Sequence, residues 1–273
     1  MYCQFYHFKE KPFNVTADPA FFFSSHQHQE ALAHLFYGVN QRKGIIVITG
    51  EIGTGKTTLC RFFLNQLDKT VKTAFILNPY LPQIQLLEAI VKDFGISVKA
   101  RSKFALIWEL NRFLLQESEK NNNVVLVIDE AQNLKIQQLE QIRLLSNLET
   151  EKNKLLQIIL VGQPELNHKL NLYELRQLKQ RIMVRYHISP LLKEEIANYI
   201  RHRLEIAGSS GNPKFTSEAI LAISEFSKGI PRLINIICDR ALLAGFVIQT
   251  NIIDIDIIKR CIEELSNDFV KQI

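Results

Sequence analysis

Ile45-Ile46-Val47-Ile48-Thr49-Gly50-Glu51-Ile52-Gly53-Thr54-Gly55-Lys56-Thr57 decides the fold. The first five residues are a β-branched run without a polar face, as in a strand covered on both sides. Gly50 to Thr57 then match G-x-x-x-x-G-K-[ST] at every fixed position. Leu59, Phe62, Phe63 and Leu67 follow on one helical face, so the motif sits between a strand and a helix, as phosphate binding requires. Backbone N–H groups must close around phosphate oxygens there, and a Cβ would obstruct the turn, so glycines recur. The helix N-terminus adds partial positive charge. Lys56 is placed to reach β- and γ-phosphates, and the Thr57 hydroxyl to ligate Mg²⁺. Thr58 is the next helical residue.

The glycine cluster stands out because the chain is glycine-poor. Its 273 residues hold 11 glycines and 8 prolines, below the usual shares of about 7% and 5%. With 47% hydrophobic and 22% charged residues, the chain is neither low-complexity nor disordered. Outward from the loop, further β-branched runs occur at Thr73–Leu77, Val124–Ile128, Gln157–Val161 and Val184–Ile188. Helical patterns cover 82–94, 103–119 and 136–148, and Ala31, Leu32, Leu35, Phe36 and Val39 share a face before the first strand. Strands alternating with helices imply a parallel sheet wound by crossovers. After Ser189-Pro190 only helical patterns are read, at about 192–206, 216–227, 231–246 and 254–266. The expectation is an α/β domain over 1–190 and a small helical domain over 191–273.

A phosphate loop needs a carboxylate to complete the Mg²⁺ shell. Val124-Val125-Leu126-Val127-Ile128-Asp129-Glu130 is a buried strand ending in two acids, an arrangement packing alone disfavours. Asp129 is the candidate metal partner, through water, and Glu130 the candidate base for the attacking water. Gln157–Val161 ends in Gly162-Gln163-Pro164, and its carboxyl end should open onto the same crevice. Gln163 is then either a hydrogen-bond donor to the γ-phosphate or water, or a turn residue. Asn78 ends another strand; it either holds Glu130 in an inactive pose or, with Pro79, only marks a turn.

Other chemistries are disfavoured. The four cysteines, at 3, 60, 238 and 261, lack metal or redox spacing and read as free thiols. His26 and His28 lie close together without further ligands nearby. The longest apolar stretch, Ala241 to Ile248, is far short of the ~20 residues of a membrane span. No signal peptide is read at the N-terminus, so the expected location is cytoplasmic, or peripheral to a membrane through a partner. Lys+Arg 33 against Asp+Glu 28 gives +5, which permits an acidic partner and requires none.

These residues resemble the AAA+ ATPases, and more closely the general secretion pathway protein A (ExeA-type) family. The likeness runs over nearly the whole chain. Its most specific stretches are Asp18-Pro19 with Phe21–Phe23, His28–Leu32, Tyr37-Gly38, Gly50–Thr58, Asp129–Leu134, Gln141–Thr150, Val161–Leu166 and Gly229–Asn235. The resemblance implies a P-loop AAA+ fold: a parallel five-stranded αβα sandwich followed by an all-helical lid. It implies ATP and Mg²⁺ as cofactors, with Gly50, Gly53, Thr54, Gly55, Lys56, Thr57, Thr58 and Asp129 at the nucleotide, and Thr57 and Asp129 at the metal. Gln163 falls at sensor 1, where many AAA+ proteins carry Asn, Ser or Thr. Arg232, in Gly-Ile-Pro-Arg, matches sensor 2, a γ-phosphate contact from the lid; a guanidinium suits it by its permanent charge and forked donors. Arg181, then Arg176, is the candidate arginine finger acting on a neighbouring subunit, which implies a ring, typically a hexamer; Arg185 lies inside the strand pattern. Tyr37-Gly38 is placed near adenine.

The resulting expectation is a Mg²⁺-dependent ATP hydrolase serving as assembly motor or switch of a type II secretion or type IV pilus-like envelope machine, with a partner protein of that machine. Longer members of the family continue into a membrane segment and a peptidoglycan-binding module, so this chain is expected either to be part of a longer protein or to use a partner subunit. The rival reading is a DNA-associated AAA+ ATPase, such as a transposition regulator or helicase loader, for which the Arg176–Arg185 basic stretch leaves room.

Overall fold

A computed structural model describes the chain apart from residues 99–101, 152 and 271–273. In chain order its elements are α1 (Tyr2–Phe5), α2 (His26–Asn40), β1 (Ile45–Gly50), α3 (Lys56–Gln66), β2 (Lys72–Ile76), α4 (Gln83–Asp93), α5 (Lys103–Glu119), β3 (Val124–Ile128), α6 (Ile136–Leu145), β4 (Gln157–Gly162), α7 (Glu165–Leu170), α8 (Arg176–Arg181) and β5 (Ile182–Ile188). They continue as α9 (Lys193–Ile206), β6 (Lys214–Phe215), α10 (Ser217–Ser227), α11 (Pro231–Val247), β7 (Ile252–Ile253) and α12 (Ile255–Val270). The chain divides into two compact units. One comprises His28–Ile52 with Leu59–Ile188, the other Met1–Gln27 with Gly53–Thr58 and Ser189–Ile273.

The first unit is built on a five-stranded, wholly parallel sheet of order β2-β3-β4-β1-β5. Every residue of β1, β3 and β4 is buried, in keeping with their largely apolar sequences. β5 is an edge strand and reads differently, with Met183, Arg185 and His187 exposed and Val184 and Ile188 buried. Its bulge-shifted pairing with β1 starts at Ile182, two residues before the apolar run seen in sequence. The core beside the sheet packs Leu86, Leu87 and Ile90 of α4, Leu106, Leu110 and Leu114 of α5, and Leu139 and Ile142 of α6 against Ile45, Val47, Leu126 and Ile158. Because β4 lies between β1 and β3, the carboxyl ends of these three strands are neighbours. That arrangement decides where the functional residues gather.

The second unit has its own core of Ile196, Ile200, Ile223, Ile234, Ile237, Leu242, Ile258 and Leu265. Residues 1–27, expected within the first domain, belong here. Tyr2, Tyr6, Phe8, Phe13 and Phe21 are buried in this helical core, where the aromatic-rich N-terminal segment finds apolar helix faces to cover. Hydrogen bonds fix it: Tyr2 to Asp239, and Tyr6 to the Leu242 and Thr250 carbonyls. Arg203, buried in α9, donates to the Pro12 carbonyl at 2.5 Å and the Asn14 carbonyl at 3.0 Å, and lies over the Phe21 ring. The unit also contains a two-residue parallel pair, β6 with β7, too short to show in the pattern of apolar residues. Cys238 and Cys261 are buried and outside any disulfide, as is Cys60 in the first unit, and Cys3 is half-buried.

Candidate nucleotide site

The loop between β1 and α3 takes the backbone its glycines imply. Gly53 and Gly55 have φ of +83° and +91°, a region open to glycine and costly for residues with a Cβ. Lys56 opens α3 and is buried to 6% exposure, an unusual state for lysine. Thr54 is buried, whereas Gly55, Thr57 and Thr58 are half-exposed. Thr49, just before the loop, accepts a hydrogen bond from the Asn167 side chain at 3.2 Å and pairs with the His187 Nδ1 at 3.0 Å. The end of β1 is thereby tied to β5 and to α7, the helix that follows β4.

The same unit that holds residues 53–58 also holds Arg232, the second residue of α11. Its backbone N–H, one of the donors that a helix start leaves without an internal partner, donates to the Gly53 carbonyl at 3.2 Å. A Cβ on Gly53 would lie 2.6 Å from the Arg232 Cβ and 3.2 Å from Ile230 Cγ2. The Arg232 side chain is exposed. Pro231 begins the helix, where its missing N–H costs nothing.

At the end of β3, Asp129 is 1% exposed and its N–H donates to the Ile76 carbonyl. Its Oδ1 accepts from the Glu130 N–H at 2.9 Å. Glu130 is left-handed, with φ 51° and ψ 37°. For a residue with a side chain this conformation costs of order 1–2 kcal/mol, and it turns the chain abruptly from strand into the single 3-10 turn Ala131–Asn133. Two carboxamides hold the Glu130 carboxylate. Gln132 Nε2 donates to its Oε2 at 2.5 Å, and Gln163 Nε2 to the same oxygen at 3.2 Å. The Gln163 N–H donates in turn to Gln132 Oε1 at 3.0 Å. The turn is braced from behind by Lys169, whose Nζ donates to the carbonyls of Gln132 and Leu134 at 2.5 and 2.8 Å.

The residue types suit a magnesium nucleotide, each within its own unit. The Thr57 hydroxyl and the Asp129 carboxylate are oxygen ligands of the hardness Mg²⁺ prefers, and the left-handed glycines leave the loop free of Cβ atoms where phosphate would approach. Residues 39–170 match the AAA domain family. Over 247 residues the chain is 46% identical to General secretion pathway protein A of Aeromonas hydrophila. Residues 39–170 thus carry an AAA domain, and most of the chain is similar to general secretion pathway protein A. The match covers 90% of this chain and 45% of that protein, so the chain spans about half the length of the curated relative. Among solved structures, the ORC2 protein of Aeropyrum pernix, in ADPNP–ADP complexes, superposes with a TM-score of 0.71 at 17% identity, over 94% of this chain and 72% of its own. The RuvB Holliday junction branch migration motor of Thermotoga maritima gives 0.59 at 17%, over 87% and 68%. A Walker-type ATPase of Pyrococcus abyssi gives 0.63 at 17%, over 96% and 78%. At such identities the likeness is one of fold.

The remaining candidates are dispersed. Arg181 is the last residue of α8 and half-buried, near enough to Glu149 to help hold that carboxyl below its usual range, after the larger effect of the Lys154 hydrogen bond. Arg176 is exposed and stacks on Tyr173 at 4.2 Å. Arg185 is exposed as a residue, but partial covering of its guanidinium lowers its pKa. Tyr37, about half-exposed, lines an open cavity of about 450 Å³ with His34, Met183 and Arg185. Asn78 does not hold Glu130: its Oδ1 accepts from the Tyr80 N–H at 3.1 Å, the turn reading of Asn78-Pro79. The residue that sequence reasoning missed is Gln132. It stands inside Asp129-Glu130-Ala131-Gln132 in plain view, but the left-handed Glu130 that brings the two side chains together leaves no periodic signature.

Proposed function

We propose that the chain binds ATP through Gly50–Thr58 and hydrolyses it with Glu130 as the base. The observation that carries this reading is the Glu130 carboxylate, fixed through Oε2 by two carboxamides beside a buried aspartate. With Oε2 occupied, Oε1 is the atom that takes the proton from water as the water oxygen bonds to the γ-phosphorus. The bond from that phosphorus to the β–γ bridging oxygen breaks, leaving ADP and phosphate. Lys56 binds the β- and γ-phosphates, and the loop amides orient them. Thr57 and, through water, Asp129 would hold Mg²⁺, whose charge offsets that of the phosphates. Arg232 and an Arg181 supplied by a neighbouring copy add positive charge at the γ-phosphate, which makes the working form a ring of several copies.

The 46% identity to General secretion pathway protein A supports a further step: the chain powers or switches assembly of a secretion or pilus-like envelope machine through a partner protein. No helix among the described residues is long and apolar enough to cross a membrane. The likeness to DNA-acting AAA+ proteins is one of fold alone and does not favour the DNA-associated reading. The test is a strain lacking this gene, complemented with wild type or Glu130→Gln. Loss of envelope export with the variant supports the reading; intact export in the deleted strain contradicts it, and ATP-dependent, salt-sensitive duplex DNA binding would favour the rival.

A further inference from the structure

We propose that Gln132 is a positioning residue that ties the Glu130 carboxylate to the end of β4. The inference rests on the reading of Glu130 as the base. The connections form a closed loop. The Gln163 backbone N–H holds Gln132 Oε1, Gln132 Nε2 holds Glu130 Oε2, and the Gln163 side chain holds that same oxygen. A carboxamide is suited to this place because it accepts at one end and donates at the other; neither a carboxylate nor an alkyl group of the same size does both. The back of the turn is fixed by Lys169. On the β4 side a Cβ on Gly162 would lie 2.8 Å from Gln132 Oε1 and 3.1 Å from Leu166 Cδ2, so the strand backbone and the Gln132 carboxamide are in direct contact. When the Gln163 side chain turns to another acceptor, such as a phosphate oxygen, Gln132 keeps one grip on Glu130 and remains attached to the Gln163 backbone. The carboxylate therefore stays aligned while half of its restraint is released. In Gln132→Glu the donor is lost and a second carboxylate faces Glu130. In Gln132→Met both hydrogen bonds are lost with little change of volume.

The experiment measures steady-state ATP hydrolysis, affinity for a fluorescent ATP analogue and thermal unfolding for the full chain and for Gln132→Met, Gln132→Glu, Gln163→Ala and Glu130→Gln. Loss of alignment predicts that kcat falls roughly tenfold or more in Gln132→Met and further in Gln132→Glu, with KM and analogue affinity within about twofold. The double variant Gln132→Met/Gln163→Ala should lose less than the product of the two single losses, because both act on one oxygen. Wild-type kcat in Gln132→Glu, or equal losses of kcat and analogue affinity in both Gln132 variants, overturns the proposal. Should Gln132→Met fail to fold, the isosteric Gln132→Glu decides. Normal turnover in Glu130→Gln would instead remove the reading of Glu130 as base, an outcome separable from failure at Gln132 alone.

Discussion

The N–H of Arg232, in the first turn of α11, donates to the carbonyl of Gly53 in the phosphate loop at 3.2 Å, and the Arg232 Cβ occupies the space where a Gly53 side chain would be. The candidate sensor residue and the loop are thus joined through their backbones. In sequence they are far apart; in the fold they belong to one compact unit. Two constraints coincide on Gly53, a φ of +83° and this close contact. Gly53→Ala should lower affinity for ATP analogues at least tenfold and reduce thermal stability. Equilibrium titration and a melting curve check both, and unchanged affinity would show the contact to be incidental.

On the proposed reading Lys56 binds the β- and γ-phosphates, so Lys56→Ala should abolish nucleotide binding. Binding of a fluorescent ATP analogue measures this directly. Retained affinity would remove Lys56 from the site. Chelation of divalent metal with EDTA should stop hydrolysis in wild type, and added Mg²⁺ should restore it if Thr57 and Asp129 hold the ion.

Mixing Arg181→Ala with Lys56→Ala chains should recover part of the activity each variant lacks alone, if Arg181 acts on the nucleotide of a neighbouring copy. A wild-type rate in Arg181→Ala by itself shifts the role to Arg176, whose stacking on Tyr173 would then have to open.

Arg203→Ala tests what ties the N-terminal segment to the helical unit. The substitution leaves the Pro12 and Asn14 carbonyls without their guanidinium donor and removes the contact over Phe21. The expected loss is about 2–4 kcal/mol, read from chemical denaturation. A loss well under 1 kcal/mol would show the segment held by its aromatic residues alone.

Much of this fold was legible because the strands announce themselves. Ile45–Ile48, Val124–Ile128 and Ile158–Val161 are unbroken apolar runs of strand length, rich in β-branched residues, as strands covered on both faces are. β5 was shortened in sequence because Ile182 and Met183 begin an edge strand, whose exposed positions weaken the signal. The six-residue helices α7 and α8 are under two turns long and carry no resolvable period. Tyr2, Tyr6, Phe8 and Phe13 mark residues 1–27 as needing apolar cover, but their spacing does not say which unit provides it. Lys56, Asp129 and Glu130 stand out in sequence as candidates because the chemistry proposed for them is tied to fixed spacing. Gln132 does not, since its role depends on a left-handed Glu130 and on a strand end thirty residues away.

The most direct measurement compares ATP binding and turnover in wild type and Glu130→Gln at the same protein concentration. Removing the base while keeping the size of the side chain should leave binding intact and slow turnover by about 10²–10⁴-fold, so that ATP accumulates on the protein. Binding with turnover at the wild-type rate would contradict the account of Glu130 as the group that activates water.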